Sequence, residues 1–441
     1  MNKSDGDNGF ISIIDDLLAH DSGRNTFLRA MLVKLGLKVS VENGTNGAKE
    51  NGVPALTPLH ISSSSTSLNR TIYKSLLGIA DSPQSQEGDP VTITETNDTF
   101  HIQFITSPLD SMRDLRQVLN GHYRSRSIDP NPKDIFLHPS PMTYPYFSMK
   151  EYFQYLPSSS KIGQTLAYVE VTTSTQTILD KNPVLLRNLP SGFVITSTSQ
   201  LNGRGRAGNA WISPRGSLAF SYVIRLPRQL SSRLVFVQYL VSLAIVEGIR
   251  TYAPGWEDVN VSIKWPNDIY GKPRTSDRWE KIGGIMVNST YLDNDYVLVV
   301  GTFIMLAVLT VGCGINTTNA HPTTSLLHII PEELEHPTHE RLLGNILSTF
   351  SDMYDEFLDT GFRTFEQKYY QRWLHEEQIV SIENGMTRGK IRGIDCKDGG
   401  SGGLLIDEVD ISGRSLRRPM VEVIADGNSF DMMKGLLRRK R

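Results

Sequence analysis

The chain has 441 residues and a formal net charge of -2, which leaves room for about two or three domains and gives no overall basic field that favours nucleic acid or anionic membrane. Its 2 cysteines, Cys313 and Cys396, exclude a disulfide framework and a structural zinc site, and they fit a reducing compartment. The start, Met1-Asn2-Lys3-Ser4-Asp5-Gly6-Asp7, is polar and acidic, without the apolar core of a signal peptide or an arginine-rich transit pattern, so the expected location is cytoplasmic.

The first stretch, 1–155, is patchy. Phe27 to Val39 predicts a short amphipathic helix, a glycine stop at Gly36 and a strand. Polar runs at Asn43–Asn51, Ser62–Ser67 and Asp81–Asp89 predict loops or disorder. Thr99 to Ile105 alternates apolar and polar residues, as a half-buried strand does. This portion is too broken to predict a self-sufficient enzyme domain.

The texture changes near Leu166. A domain over 160–376 is predicted, with strands at Ala167–Val171, Phe193–Ser197, Leu218–Leu226, Val261–Trp265, Gly283–Thr290 and Tyr296–Val300. Leu234–Arg250 has helical spacing, and Glu340–Trp373 holds one or two further helices. The last region, 377–436, has short strands with turn signals at Asn384-Gly385, Asp398-Gly399 and Asp426-Gly427, which predict a small β-barrel. The basic end, Arg438-Arg439-Lys440-Arg441, reads as a solvated tail before it reads as a nuclear or nucleic-acid signal.

Three spaced motifs carry chemistry. Gly203-Arg204-Gly205-Arg206-Ala207-Gly208-Asn209-Ala210-Trp211 puts two guanidinium forks on a glycine-spaced loop. Alone it has three readings: an anion clamp, a basic turn, or a fragment of a disordered nucleic-acid-binding tract. The apolar run that follows, Leu218 to Ile224, disfavours disorder. Lys264-Trp265-Pro266-Asn267-Asp268 and Lys281-Ile282-Gly283-Gly284 add further cations and amides. Ser174-Thr175-Gln176 begins an apolar helical run and reads equally as a helix N-cap. Asp268 reads as a turn cap as readily as a metal ligand.

Taken in order, these motifs resemble the biotin protein ligases, also called holocarboxylase synthetases, with Gln200, Gly312-Cys313-Gly314-Ile315-Asn316, Pro322-Thr323-Thr324-Ser325-Leu326 and Gly393-Ile394-Asp395 completing the set. The stretch Met142 to Phe147 is similar to the long N-terminal extension of the fungal members. The resemblance implies an α+β fold: a mixed-sheet catalytic domain like that of the class II synthetases, a C-terminal SH3-like barrel, and a truncated amidotransferase-like extension. That extension has no cysteine before Cys313 to serve as a glutaminase nucleophile. The implied activity is ATP- and Mg²⁺-dependent formation of biotinyl-5′-AMP, then biotin transfer to a lysine of apo-carboxylases such as acetyl-CoA and pyruvate carboxylases. Neither nucleic acid nor membrane is an expected partner.

By the same resemblance, Lys281, Arg204 and Arg206 are the catalytic cations, with Lys281 bridging the biotin carboxylate and the α-phosphate. Ser174, Thr175, Gln176, Gln200, Gly203, Gly205 and Trp211 join those cations around biotin. Asn267 and Asn316 contact the nucleotide together with Lys281, and Asp268 helps to hold the metal. The alternatives are a lipoate- or octanoyl-transferase-like enzyme and an inactive biotin-binding protein.

One run departs from the pattern. The strand ending Val299-Val300 should lead directly into Gly-x-Gly-Ile-Asn, but Gly301 to Val311 intervenes before Gly312. The run reads as an insertion, an unspliced intron or a gene-model error. The fold is expected to survive only if it loops out, because an odd number of residues added to a continuing strand exchanges its two faces. The uncharged span Val297–Ile315 also approaches the length of about 20 residues that crosses a bilayer.

Overall fold

The computed structural model describes residues 56–80, 90–105, 133–204, 210–292, 295–305, 324–382, 387–397, 399–425, 428–431 and 436–439. The helix and strand predicted over Phe27–Val39, and the polar runs Asn43–Asn51 and Asp81–Asp89, lie outside them.

Twelve strands form one mixed sheet. In chain order they are β1 (Leu59–Ser63), β2 (Val91–Thr94), β3 (Thr99–Phe104), β4 (Lys133–Leu137), β7 (Thr165–Thr172), β8 (Phe193–Arg204), β9 (Ala210–Ser213), β10 (Ser217–Pro227), β11 (Val261–Lys264), β12 (Asp268–Gly271), β13 (Glu280–Leu292) and β14 (Asp295–Met305). The two-residue strands β5 (Thr143–Tyr144) and β6 (Phe147–Ser148) form a separate ribbon. The main order is β11-β12-β13-β14-β10-β8-β7-β1-β4-β3-β2, with β9 paired to β8. The β1–β4, β3–β4 and β7–β8 pairs are parallel and the rest antiparallel.

The N-terminal strands therefore extend the main sheet, with β1 antiparallel to β7. The serine run predicted as loop or disorder is ordered: Ser62 and Ser63 end β1 fully buried, and Ser65 caps helix α1 (Thr66–Leu77) by accepting from the Leu68 amide at 3.4 Å. Serine runs look like linkers in a sequence, yet serine is also a preferred N-cap, and here the cap reading wins.

The remaining helices are α2 (Met149–Tyr155), α3 (Thr175–Asp180), α4 (Pro183–Asn188), α5 (Val237–Arg250), α6 (Leu326–Ile329), α7 (His339–Thr360) and α8 (Glu366–Arg372). They cover the sheet from both sides. Alternation along β10 decides which side each residue serves. Leu218, Phe220, Tyr222, Ile224 and Leu226 join α5 and α7 in the larger core, whereas Val223 joins Ile178 and Leu179 of α3 in the smaller one. The stretch Arg228–Arg250 is long and apolar enough to cross a membrane, but it is largely buried, and α5 fills the larger core.

The last six strands are β15 (Ile379–Ile382), β16 (Thr387–Ile394), β17 (Leu404–Val409), β18 (Val421–Val423), β19 (Asn428–Asp431) and β20 (Leu436–Arg439). They run in the order β18-β17-β16-β15-β20-β19. Among the described residues the end strands β18 and β19 do not pair with each other.

Strand β14 answers part of the insertion question. Gly301 to Met305 does not loop out but continues the strand, pairing with β10 from Ser221↔Gly301 to Ser217↔Met305 and with β13 from Met286↔Gly301 to Gly283↔Ile304. The first half of the suspected membrane span is thus a sheet strand flanked on both sides. Two neighbouring strands already present matching backbone donors and acceptors, and satisfying them outweighs ejecting an apolar segment into water. Residues 306–323 lie outside the described residues.

Candidate active site

The site lies on the α3 face of the sheet, where that short helix starts over β8, β10 and β14. Ser174 caps α3, its hydroxyl accepting from the Thr177 amide at 3.3 Å, so the N-cap reading of this motif holds. Gln200, 6 % exposed, accepts through Oε1 from the Thr175 amide at 2.8 Å and from the Thr175 hydroxyl at 3.2 Å. Its Nε2 donates to Ser213 Oγ at 3.2 Å. Thr175 Oγ1 also lies 2.8 Å from Ser221 Oγ, and Gln176 Nε2 donates to the Val299 carbonyl at 3.3 Å. These side chains form a polar floor in an otherwise apolar layer. Burying so many polar groups is tolerable because they bond to one another.

Gly301 belongs to this floor. A Cβ built there would overlap Gln176 Oε1, so the Gln176 amide fills the space over that strand position.

The second wall comes from the β11–β12 turn and β13. Trp265 is core, its indole donating to Tyr239 Oη at 3.0 Å and its amide to His375 Nε2 at 3.0 Å. Burial lowers the His375 pKa to about 4, which keeps the ring neutral and able to accept that bond. Asn267 staples the turn to β13: its side-chain amide donates to the Ile285 carbonyl at 2.9 Å, and the Ile285 amide donates to the Asn267 carbonyl at 2.9 Å. The turn aims Asp268 at two ammonium groups. Asp268 Oδ1 is 2.7 Å from Lys281 Nζ, and Oδ2 is 3.4 Å from Lys264 Nζ. All three are mostly covered, with side chains 15 %, 27 % and 14 % exposed for Asp268, Lys281 and Lys264 respectively. Gly284 lies beside them, with a Cβ built on it 3.5 Å from Lys281 Nζ and 3.7 Å from Asp268 Oδ1. Ammonium groups, backbone amides and a missing side chain make a place that accepts an anion if the Asp268 carboxylate yields to it.

A resident divalent ion does not fit this wall. Both Asp268 oxygens already face ammonium groups, and among the described residues no cluster of three or more histidine, cysteine or acidic side chains could hold a metal. Asp268, which the sequence reads as a turn cap or a metal ligand, is here the ion-pair partner of Lys281 and Lys264.

The structure brings together Ser174, Thr175, Gln176 and Gln200 on the floor, and Asn267, Asp268 and Lys281 on the wall. Gly203 and Trp211 are register partners on β8 and β9, as are Arg204 and Ala210, which places the stem of the arginine loop beside Gln200 on the same strand. Gly205 and Arg206 in the loop tip, and Asn316, lie outside the described residues. Ser213, Ser221 and Gly301 were missed in the sequence; the signal for Ser221 was a hydroxyl inside the apolar run Leu218–Ile224. A separate cavity of about 230 Å³, lined by Tyr146, Phe147, Thr198, Arg215 and His339 among others, includes none of the predicted site residues.

Residues 168–303, which span both floor and wall, match the model of the Biotin/lipoate A/B protein ligase family. The chain is 36 % identical over 312 residues to the Schizosaccharomyces pombe biotin--protein ligase, covering 67 % of this chain and 47 % of that protein. It is 29 % identical over 430 residues to the human biotin--protein ligase, covering 95 % of this chain and 50 % of that one. The chain thus spans about half the length of these two relatives. With the Arabidopsis thaliana biotin--protein ligase 1, identity is 33 % over 287 residues, covering 64 % of this chain and 70 % of that protein.

Proposed function

We propose, from the premise that this chain belongs to the biotin protein ligase family, that it activates biotin with ATP and transfers it to a protein lysine. The observation that carries this reading is the Lys281–Asp268 pair at the edge of a buried polar floor, beside the bare Gly284 backbone.

The chemistry fits the two walls. A biotin carboxylate oxygen attacks the α-phosphorus of ATP; the new O–P bond forms as the bond to the β-phosphate oxygen breaks, and pyrophosphate leaves. Two anions must meet, so positioned cations are the main requirement. Lys281 would exchange the Asp268 carboxylate for the biotin carboxylate and α-phosphate, with Arg204 and Arg206 closing from the loop. Asp268 acts before that as an internal stand-in for the substrate anion, holding Lys281 in the position it will use. Gln200, Thr175 and Gln176 would orient the polar ring of biotin, Ser174 would fix the helix that carries two of them, and Trp211 would pack beside its chain. Asn267 and Asn316 would meet the nucleotide. Any Mg²⁺ would arrive on the ATP phosphates rather than on a protein carboxylate cluster. In the second step the lysine amine attacks the acyl carbon, the bond to the phosphate oxygen breaks, AMP leaves, and the amine proton passes to solvent. The partners proposed are apo-carboxylases carrying biotin-acceptor domains, such as acetyl-CoA and pyruvate carboxylases, and the location proposed is cytoplasmic.

Pyrophosphate release by the purified chain tests the reading, with biotin and lipoate as rival acids and a biotin-acceptor domain as the final substrate. Biotin-dependent release followed by labelling of the acceptor lysine is the expected result. Lipoate-dependent release alone would refute it.

A further inference from the structure

The N-terminal strands supply none of the residues expected around biotin, yet they grip the helix that does. Helix α3 has 6 residues. Its start faces the site, where Thr175 and Gln176 bond to Gln200, Ser221 and Val299. Its other end, about 9 Å away at about 1.5 Å per residue, faces the N-terminal strands. There the fully buried Asn182 donates through Nδ2 to the Ile178 carbonyl at 2.9 Å and to Asp98 Oδ2 at 2.7 Å. Asn182 holds the N-cap position of α4 but makes no side-chain cap bond; Glu95 supplies one, its carboxylate accepting from the Leu185 amide. Glu95 and Asp98 are the two ends of one turn between β2 and β3, closed by the Glu95 amide donating to the Asp98 carbonyl at 2.9 Å. Ser75 of α1 donates to the Asn188 carbonyl at the end of α4 at 3.0 Å. Apolar packing follows the same lines: Tyr73 and Leu76 of α1, Ile93 of β2 and Phe100 of β3 share the smaller core with Leu179 and Leu185. Asp98 is only 4 % exposed, and its second oxygen meets Lys133 Nζ, which supplies the cation that a buried carboxylate needs.

We propose that Asp98 is a positioning residue for the biotin floor: the β2–β3 turn braces α3 through Asn182 and so fixes where Thr175 and Gln176 stand. The ligand named here rests on the biotin ligase reading; the brace does not. An isolated helix shorter than about 12–15 residues is marginal in water, so α3 takes its place from what it is tied to. At its start it is tied to β8, β10 and β14; at its end Asp180 meets Asn288 of β13, and Asn182 meets Asp98. The cation wall does not share the Asp98 tie, because Asp268 and Lys281 stand on β12 and β13. Loosening the brace therefore weakens the hold on biotin and leaves the chemical step to the wall.

The test has two arms on the full chain. Asn182→Ala is the main variant, since it removes the tie, keeps the Asp98–Lys133 pair whole, and serves even if Asp98→Ala fails to fold. The first arm needs no ligand: amide hydrogen exchange of the parent and of Asn182→Ala. Exchange across α3 should speed up by about tenfold, with that of β14 unchanged. Unchanged protection of α3, or an equal loss in β14, would overturn the brace. The second arm is biotin-dependent pyrophosphate release. The KM for biotin should rise about tenfold in Asn182→Ala and in Asp98→Ala, with kcat at saturating biotin close to that of the parent. The double variant should be no worse than either single one, because both remove the same tie. An unchanged KM, or losses that multiply in the double variant, would overturn the role of Asp98. A parent chain that released no pyrophosphate with biotin would refute the ligase reading, while the exchange arm would still decide the brace.

Discussion

The floor and the wall of the site are held in place by different physics. The floor, formed by Thr175, Gln176, Gln200 and Ser221, is buried and joined by short neutral hydrogen bonds. The wall, formed by Lys264, Asp268 and Lys281, is mostly covered but opens to solvent at Lys281, the most exposed of the three, and is held by ion pairs. A buried hydrogen-bonded residue cannot be removed without orphaning its partner, so the floor ties binding to stability. A partly exposed ion pair contributes little to stability, so the wall is free to be arranged for chemistry.

The sharpest way to break this comparison is Lys281→Ala. Adenylate formation, followed by pyrophosphate exchange, should fall by about a thousandfold, the upper range for losing a group that stabilises developing charge. The urea midpoint should stay within error of the parent chain, and a large loss of stability would mean that the wall is structural after all.

Acid should undo the wall through its scaffold. His375 accepts from the Trp265 amide only as a neutral ring, and its folded pKa of about 4 lies below the ordinary value of 6.5. Between those values the unfolded chain binds a proton that the folded chain refuses, so stability falls as pH drops from about 6.5 towards 4 and is retained above 6.5. This group alone accounts for up to about 3 kcal/mol across that window. His60 and His138, lowered to about 3 and about 4 chiefly by burial, add loss of the same sign in the N-terminal strands. Urea titrations at several pH values should show the slope, and His375→Gln should flatten it.

Gln200→Ala should couple the two readouts. It leaves the Thr175 amide and Ser213 hydroxyl without this partner, costing about 1–3 kcal/mol, and biotin affinity by titration should fall with it. Unchanged stability with weakened binding would make Gln200 a ligand residue rather than a floor residue. The smallest effect is expected from Asp268→Asn: less than about 1 kcal/mol in stability, with a fall in the rate of adenylate formation and little change in biotin affinity. A rate equal to that of the parent would remove Asp268 as the group that positions Lys281.

Much of the fold could be read from periodicity. Thr99–Ile105 against Thr99–Phe104, and Leu218–Leu226 against Ser217–Pro227, differ only at their ends, because alternation fixes the body of a strand and tertiary contacts fix its limits. Phe193–Ser197 grew to Phe193–Arg204, since the polar Ser199 and Gln200 beyond the apolar run still find strand partners, both in β7 and Gln200 also in β9. Ser62–Ser67 was misread because composition cannot tell a linker from a buried strand end followed by a cap.

The sequence by itself determined which chemistry is available: two arginines on a glycine loop, Lys281 before paired glycines, and an asparagine-aspartate turn, because charge and backbone freedom are properties of residues. Tertiary structure alone decided how they are used. Asp268 faces two lysines because the β11–β12 turn closes beside β13, and Gln200 bonds to Thr175 because β8 runs beneath the start of α3. It also decided that Gly301 sits beneath Gln176. Its local sequence does not single it out; pairing with both β10 and β13 holds it there.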